Sequence, residues 1–207
     1  MLNYSPSVLL SQFWFCGKVI AESKVTVRVG DVGLLEGKLV NLKVLEKDDL
    51  PLLADWSNNP EFFSDMWFPQ MSKTEWEKRY DSLKPDTKWF FIEKKDGTKI
   101  GTVFHFLNGN YMEIGYILAP NERKKGYGSE AVKIIVDYLF LSKELVRVQA
   151  ITGVDNFASQ RVLEKAGFTK EGIIRKSAFI GGVWQDGVLY SVLREEWREP
   201  KILTRIT

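Results

Sequence analysis

The chain has 207 residues, 44% of them hydrophobic and 27% charged, with 29 basic side chains against 27 acidic ones. That length suits one domain plus an extension, with a core that needs no staples, and the ordinary composition excludes a fibrous repeat or a wholly disordered chain. A net charge of +2 argues against a nucleic-acid partner held by a large basic surface; one histidine excludes the usual two-imidazole metal sites, and one cysteine excludes an intrachain disulfide.

Residues 1–36 read as an extension of the domain that follows. The apolar run at 8–16, ending in Phe13, Trp14, Phe15 and Cys16, is far shorter than the roughly 20 residues a membrane-spanning helix needs. No basic residue precedes it and no convincing small-residue cleavage site follows, so neither a leader nor a membrane role is expected. A lone cysteine without a leader predicts a cytoplasmic protein. Residues 24–29 alternate like a strand. The aromatic tip at 13–15 needs cover, from its own domain or from a partner chain, which makes a homodimer contact one use for it.

From Gly37 the pattern becomes regular, and a domain is predicted over 37–199 with a short tail at 200–207. Residues 38–45 alternate like a half-buried strand; a short helix follows at 50–56 and is broken by Asn58-Asn59-Pro60. The stretch 61–69 is aromatic and irregular, and Ser72 with Glu75 makes a capping box for a helix at 72–83. Strands at 89–92 and 100–107 meet around Asp96-Gly97, a hairpin turn, and Asn108-Gly109-Asn110 leads into a third antiparallel strand at 111–118.

The grammar then changes. A helix at 129–141 carries Ala131, Val132, Ile135, Val136 and Leu139 on a buried face and Glu130, Lys133 and Asp137 on a polar stripe. A strand at 146–150 and a helix at 156–166 follow, the helix capped by Asn156 and closed by Gly167. Strands near 172–179 and 188–194 flank Gly181-Gly182. The order predicts an α/β (mixed α+β) domain with one mixed sheet covered by helices.

The segment with chemistry in it is Arg123-Lys124-Lys125-Gly126-Tyr127-Gly128-Ser129, between a strand and a helix. Closely spaced glycines let main-chain N–H groups turn toward one point, and the following helix adds its positive end, which together suit phosphate oxygens. Hydrogen bonds to charged groups contribute roughly 1.5–3 kcal/mol each, so several would hold a pyrophosphate in water. No Gly-Lys-Ser/Thr follows, which sets a P-loop aside, and the third glycine of a dinucleotide fingerprint is missing. A solvated basic turn is the plain structural use of the same residues.

Taken with Gly115-Tyr116-Ile117-Leu118-Ala119-Pro120 before it and Asn156-x-x-Ser159-x-x-Val162-Leu163-Glu164-Lys165-Ala166-Gly167-Phe168 after it, this segment resembles the GNAT acetyltransferase superfamily. Asn58-Asn59-Pro60-Glu61 and Leu193-Arg194-Glu195-Glu196-Trp197 narrow the resemblance to the branch of ribosomal-protein N-terminal acetyltransferases, over about 37–197. The resemblance implies a single domain with a mostly antiparallel central sheet, helices on both faces, and strands splayed apart at the cofactor. It implies acetyl-CoA as cosubstrate, no metal, and an amine acceptor. The acceptor is a protein N-terminal α-amine, with a small amine (polyamine, amino acid or aminoglycoside) or a non-catalytic CoA-binding regulatory module as alternatives. No nucleic-acid or membrane partner is implied. The coenzyme's pyrophosphate maps onto Arg123, Lys124, Lys125, Gly126, Tyr127, Gly128 and Ser129. Its pantetheine arm maps onto the main chain of Ile117 and Leu118 and onto Asn156.

The resemblance also implies direct attack of the bound amine, with no acyl-enzyme; Cys16 lies outside the resembling region. Glu113 is the base candidate. Strand alternation puts it on one face with Gly115 and Ile117, and Ile114, Tyr116 and Leu118 on the other. His105 is the rival base because an imidazole titrates closer to neutrality, although a lone histidine in an apolar strand usually serves structure. Ser159 is the acid candidate, with Tyr116 and Tyr127 as alternatives. Asp65, Trp67, Phe68, Trp184 and Asp186 are candidates to line the acceptor cleft, where aromatic walls with a carboxylate suit an ammonium. Trp89 is expected to be core packing.

Overall fold

The computed structural model describes residues 33–63, 70–198, 200 and 202. In chain order the strands are β1 (Leu34–Glu36), β2 (Val40–Val44), β3 (Lys88–Lys94), β4 (Lys99–Asn108), β5 (Tyr111–Leu118), β6 (Arg147–Gly153), β7 (Thr169–Ile180) and β8 (Val183–Leu193). The helices are α1 (Leu50–Ser57), α2 (Pro60–Phe63), α3 (Lys73–Asp81), α4 (Tyr127–Ser142) and α5 (Phe157–Lys165). The eight strands form one sheet in the order β1-β2-β3-β4-β5-β6-β8-β7, and every neighbouring pair is antiparallel except β5–β6.

Alternation along β3 divides the core. Phe90 and Ile92 face α4 and α5, where they join Leu42, Val103, Ile114, Val148 and Tyr190. Trp89 and Phe91 face the other way, onto Leu50 and Leu53 of α1 and Trp76 of α3. Helices therefore cover both faces, as expected, and Trp89 is core packing.

Local signals act where they were read. Ser72 Oγ accepts from Glu75 N at 3.3 Å while Glu75 Oε2 accepts from Ser72 N at 2.7 Å, closing the capping box of α3. Gly97 takes φ +84 in the β3–β4 turn, and Asp96 Oδ1 accepts from Thr98 N. Three boundaries differ from the sequence reading. Pro60 starts the short helix α2, where its missing N–H costs nothing, as well as ending α1. The last two strands are longer than expected and make a long hairpin arm at the sheet edge. The sheet begins at Leu34, inside the stretch read as an extension.

Asp137 does not belong to a polar stripe. It is 3% exposed, and its carboxylate accepts from Trp197 Nε1 at 2.8 Å and from the Ile202 main chain at 2.9 Å. The chain beyond β8 is thereby tied down onto α4. No helix among the described residues is long and apolar enough to cross a membrane.

Candidate active site

The loop after β5 is built to leave donors free. Arg123 Nε donates to Leu118 O at 3.1 Å, drawing the loop back to the strand end. Lys124 has φ +63 and Gly126 φ +90, left-handed conformations that turn the main chain sharply into α4. Gly126 is the helix N-cap and has no side chain to offer. The first bond into the helix runs from Glu130 N to Gly126 O at 3.1 Å, so the N–H groups of Tyr127, Gly128 and Ser129 have no intrahelical acceptor. The helix starts two residues earlier than the sequence suggested, which puts both Gly128 and Ser129 in its first turn. A Cβ on Gly128 would stand 3.3 Å from Leu118 and 3.6 Å from Val162, so the glycine lets the helix start pack against β5 and α5.

Lys125 pairs with Glu122 at 3.0 Å beside this loop. Sequence reasoning missed Glu130, whose carboxylate accepts from the main chain of Lys38, Leu39 and Val40 at 2.8, 2.6 and 2.8 Å. One acidic side chain in the first turn of α4 thus anchors the β1–β2 turn beside the loop. Its place near the positive helix end was a visible signal, but its partners lie some 90 residues away.

Beside the loop the sheet opens. β5 and β6 are in register only at Met112–Val148 and Glu113–Gln149; beyond that rung they part. Ile117 and Leu118 lie past the opening, with Ile117 paired on its other side to Thr102 of β4. The N-terminus of α5 stands near the gap. Asn156 Oδ1 accepts from Ser159 N at 3.0 Å as an N-cap, and Tyr116 reaches across to donate to Ser159 O at 3.0 Å, with its hydroxyl 2.8 Å from Ser159 Oγ. Burial pushes the Tyr116 phenol well above its ordinary pKa, so it remains a neutral donor.

Glu113 is half-buried on the opposite face of β5 from Tyr116. Its Oε2 accepts from Asn108 Nδ2 at 2.8 Å and from Gln149 Nε2 at 2.9 Å. The neighbouring wall is aromatic. The Phe104 ring fills the space over Gly115, where a Cβ would come within 2.3 Å of it, and stacks on Trp89 at 4.3 Å with Phe106 6.3 Å away. His105 faces the other way. It is 1% exposed among Phe90 and Tyr138, neither ring nitrogen has a hydrogen-bond partner, and burial, reinforced by Lys143, lowers its pKa to about 4. A neutral imidazole behind the sheet cannot act as base at an acceptor on Glu113's face.

The acceptor candidates are dispersed. Asp65, Trp67 and Phe68 lie outside the described residues. Trp184 is 60% exposed on the β7–β8 arm, 5.5 Å from the Phe179 ring. Asp186 is used inside that arm: its Oδ1 accepts from Lys176 N, where φ +51 marks a bulge in β7. No group of three or more His, Cys, Asp or Glu among the described residues is arranged to hold a metal ion.

The geometry can grip a diphosphate at one end and present a carboxylate at the other, across a gap in a sheet. Residues 40–169 match the model of the acetyltransferase (GNAT) domain. The "Probable N-acetyltransferase YjcK" of Bacillus subtilis is 34% identical over 79% of this chain and 98% of its own length. The spermidine N(1)-acetyltransferase of Vibrio cholerae is 28% identical over 76% of this chain and 95% of its own. RimL, a ribosomal L7/L12 alpha-N-protein acetyltransferase solved in complex with coenzyme A, shares the fold with a TM-score of 0.70 at 18% identity, over 77% of this chain and 97% of that one.

Proposed function

The chain belongs to the acetyltransferase (GNAT) family and is an N-acetyltransferase, and from that premise we propose that it acetylates a protein N-terminal α-amine by direct attack, with no acyl-enzyme. Enzymes of this family use acetyl-CoA, whose thioester supplies the activated acetyl group. The residues present fit it. The free N–H groups of Tyr127, Gly128 and Ser129, gathered by Gly126 at the positive end of α4, suit its pyrophosphate, with Arg123, Lys124 and Lys125 around them. The unpaired β6-facing edge of Ile117 and Leu118, together with Asn156, suits the pantetheine arm as a strand-like ligand.

Glu113 takes the proton from the acceptor ammonium on its carboxylate. Ser159 Oγ delivers a proton to the departing thiolate on the coenzyme side and recovers one from solvent, while the neutral Tyr116 hydroxyl, 2.8 Å away, orients it. Glu113 stands opposite Phe106 in the β4–β5 register, with the Phe104 ring next to it over Gly115, and these rings suit one ammonium on an apolar chain end better than a string of cations. Likeness to the spermidine enzyme along most of both chains favours a polyamine as the second reading.

The observation that carries the proposal is the glycine-capped, donor-rich start of α4 beside strands that part after Glu113. Thiol release measured over a panel of short peptides and small amines tests it. Turnover on peptides with free α-amines is expected, and turnover on spermidine alone would move the acceptor to the second reading. Glu113→Gln is expected to slow turnover about 100-fold with coenzyme affinity intact; full activity would remove Glu113 as base.

A further inference from the structure

Gln149 is a polar side chain where the sheet has no packing use for one. It sits in β6 between Val148 and Ala150, which are buried in the main core, and is itself only 6% exposed. A buried amide costs free energy unless it is bonded, and the bond this one donates goes to Glu113 Oε2 at 2.9 Å. Its main chain is in register with Glu113 on the last rung before β5 and β6 separate. A branched apolar residue would satisfy the strand equally well, so the carboxylate opposite is what the amide answers to.

Asn108 reaches the same oxygen from the other side. It ends β4, and Gly109 at φ +61 turns the chain tightly enough to bring Nδ2 within 2.8 Å of Glu113 Oε2. Amides orient a carboxylate without forming the ion pair that a lysine or arginine would. With both bonds on Oε2, the carboxylate is held by one oxygen and Oε1 is left to receive a proton.

We propose that Gln149 and Asn108 are positioning residues for Glu113, fixing its carboxylate at the mouth of the strand gap so that Oε1 meets the acceptor ammonium. The proposal rests on the reading of Glu113 as base. Gln149→Met keeps length and burial and removes the donor; it is expected to lower kcat about tenfold with the KM for acetyl-CoA unchanged. Asn108→Ala, at an exposed turn, is expected to lower kcat about threefold. In a Glu113→Gln background either change should alter kcat by less than about twofold, because no carboxylate remains to be aimed. A merely structural role would lower kcat equally in both backgrounds and overturn the proposal. If Glu113→Gln is slow but both amide variants turn over at the parent rate, positioning fails and the base stands. If Glu113→Gln is fully active, the base reading fails and takes positioning with it. Should Gln149→Met not fold, Asn108→Ala in the two backgrounds decides alone.

Discussion

The two ends of α4 are treated in opposite ways. At the start, Gly126 gives the helix no side-chain cap, and the N–H groups of Tyr127, Gly128 and Ser129 are left without acceptors in the helix. Past the end, Arg194 spends its whole guanidinium on main-chain carbonyls, donating to Phe140 O at 3.1 Å, Lys143 O at 2.6 Å and Leu145 O at 2.6 Å. Asp137 then ties Trp197 down over the same region. A helix end that only supports is answered from within the protein. The start of α4, where the coenzyme is proposed to bind, is left to be answered by a ligand.

That contrast is most sharply broken at Gly126. Gly126→Asp sets a carboxylate beside the free donors and imposes a side chain at φ +90. Coenzyme affinity by calorimetry is expected to fall about 1000-fold or more, as several charge-assisted hydrogen bonds are lost to an internal anion. The strained φ should lower stability by only about 1 kcal/mol. Retained affinity would mean that the start of α4 is not where the pyrophosphate goes.

The opposite signature belongs to Arg194. Arg194→Ala strands the Phe140 and Leu145 carbonyls, while Lys143 O keeps its bond from Leu145 N at 3.0 Å, and should cost about 3 kcal/mol of stability, or about 6–12 °C in melting temperature. Coenzyme affinity of the folded enzyme should stay within about twofold, because the open end is untouched. Arg194→Lys should rescue little, since one ammonium cannot reproduce a fork that reaches three carbonyls. A large loss of affinity in either variant would mean that the two ends are coupled through the helix.

How far the sequence could go follows the same division. The capping box at Ser72 and Glu75, the Asp96-Gly97 turn, the Asn156 cap and the apolar stripe of α4 are local, and each is found where the spacing put it. Asp137 was misread because a stripe at 130, 133 and 137 records only helical spacing. What buries Asp137 is a tail that returns some 60 residues later. Glu130 was missed for the same reason in the other direction, its partners lying in the β1–β2 turn. Glu113 could be assigned a face from alternation, but Gln149 could not be joined to it before the pairing of β5 with β6 was known.

His105 sharpens the comparison through pH, since it lies under Tyr138 in the closed half of α4. Its pKa is lowered from 6.5 to about 4, first by burial and then by Lys143, with a smaller part from Lys88, while the negative charge of Asp86 pulls the other way. The unfolded chain takes up a proton as pH falls through about 6.5 and the folded one refuses it until about 4. Stability is therefore undiminished above 6.5 and declines across that window, by about 2 kcal/mol at pH 5. His105→Leu should flatten this part of the stability curve without changing coenzyme affinity. A slope that survives the substitution would assign the acid sensitivity to carboxylates instead.

The smallest effect is expected from the charges around the open end, and it tests whether geometry or charge holds the anion. Lys125 is already engaged by Glu122 at 3.0 Å, so Lys124 is the better probe. Lys124→Gln keeps the length and the left-handed backbone preference about as they were, and removes the charge. Binding should weaken about two- to threefold at low ionic strength, and the difference should vanish near 0.5 M salt, as expected for an exposed cation that acts only through screened charge. A tenfold loss that persists in high salt would make Lys124 a direct ligand. The fixed N–H groups of Tyr127, Gly128 and Ser129 would then be only part of the grip. An effect confined to low salt leaves the main chain, set in place by Gly126, as what holds the phosphates.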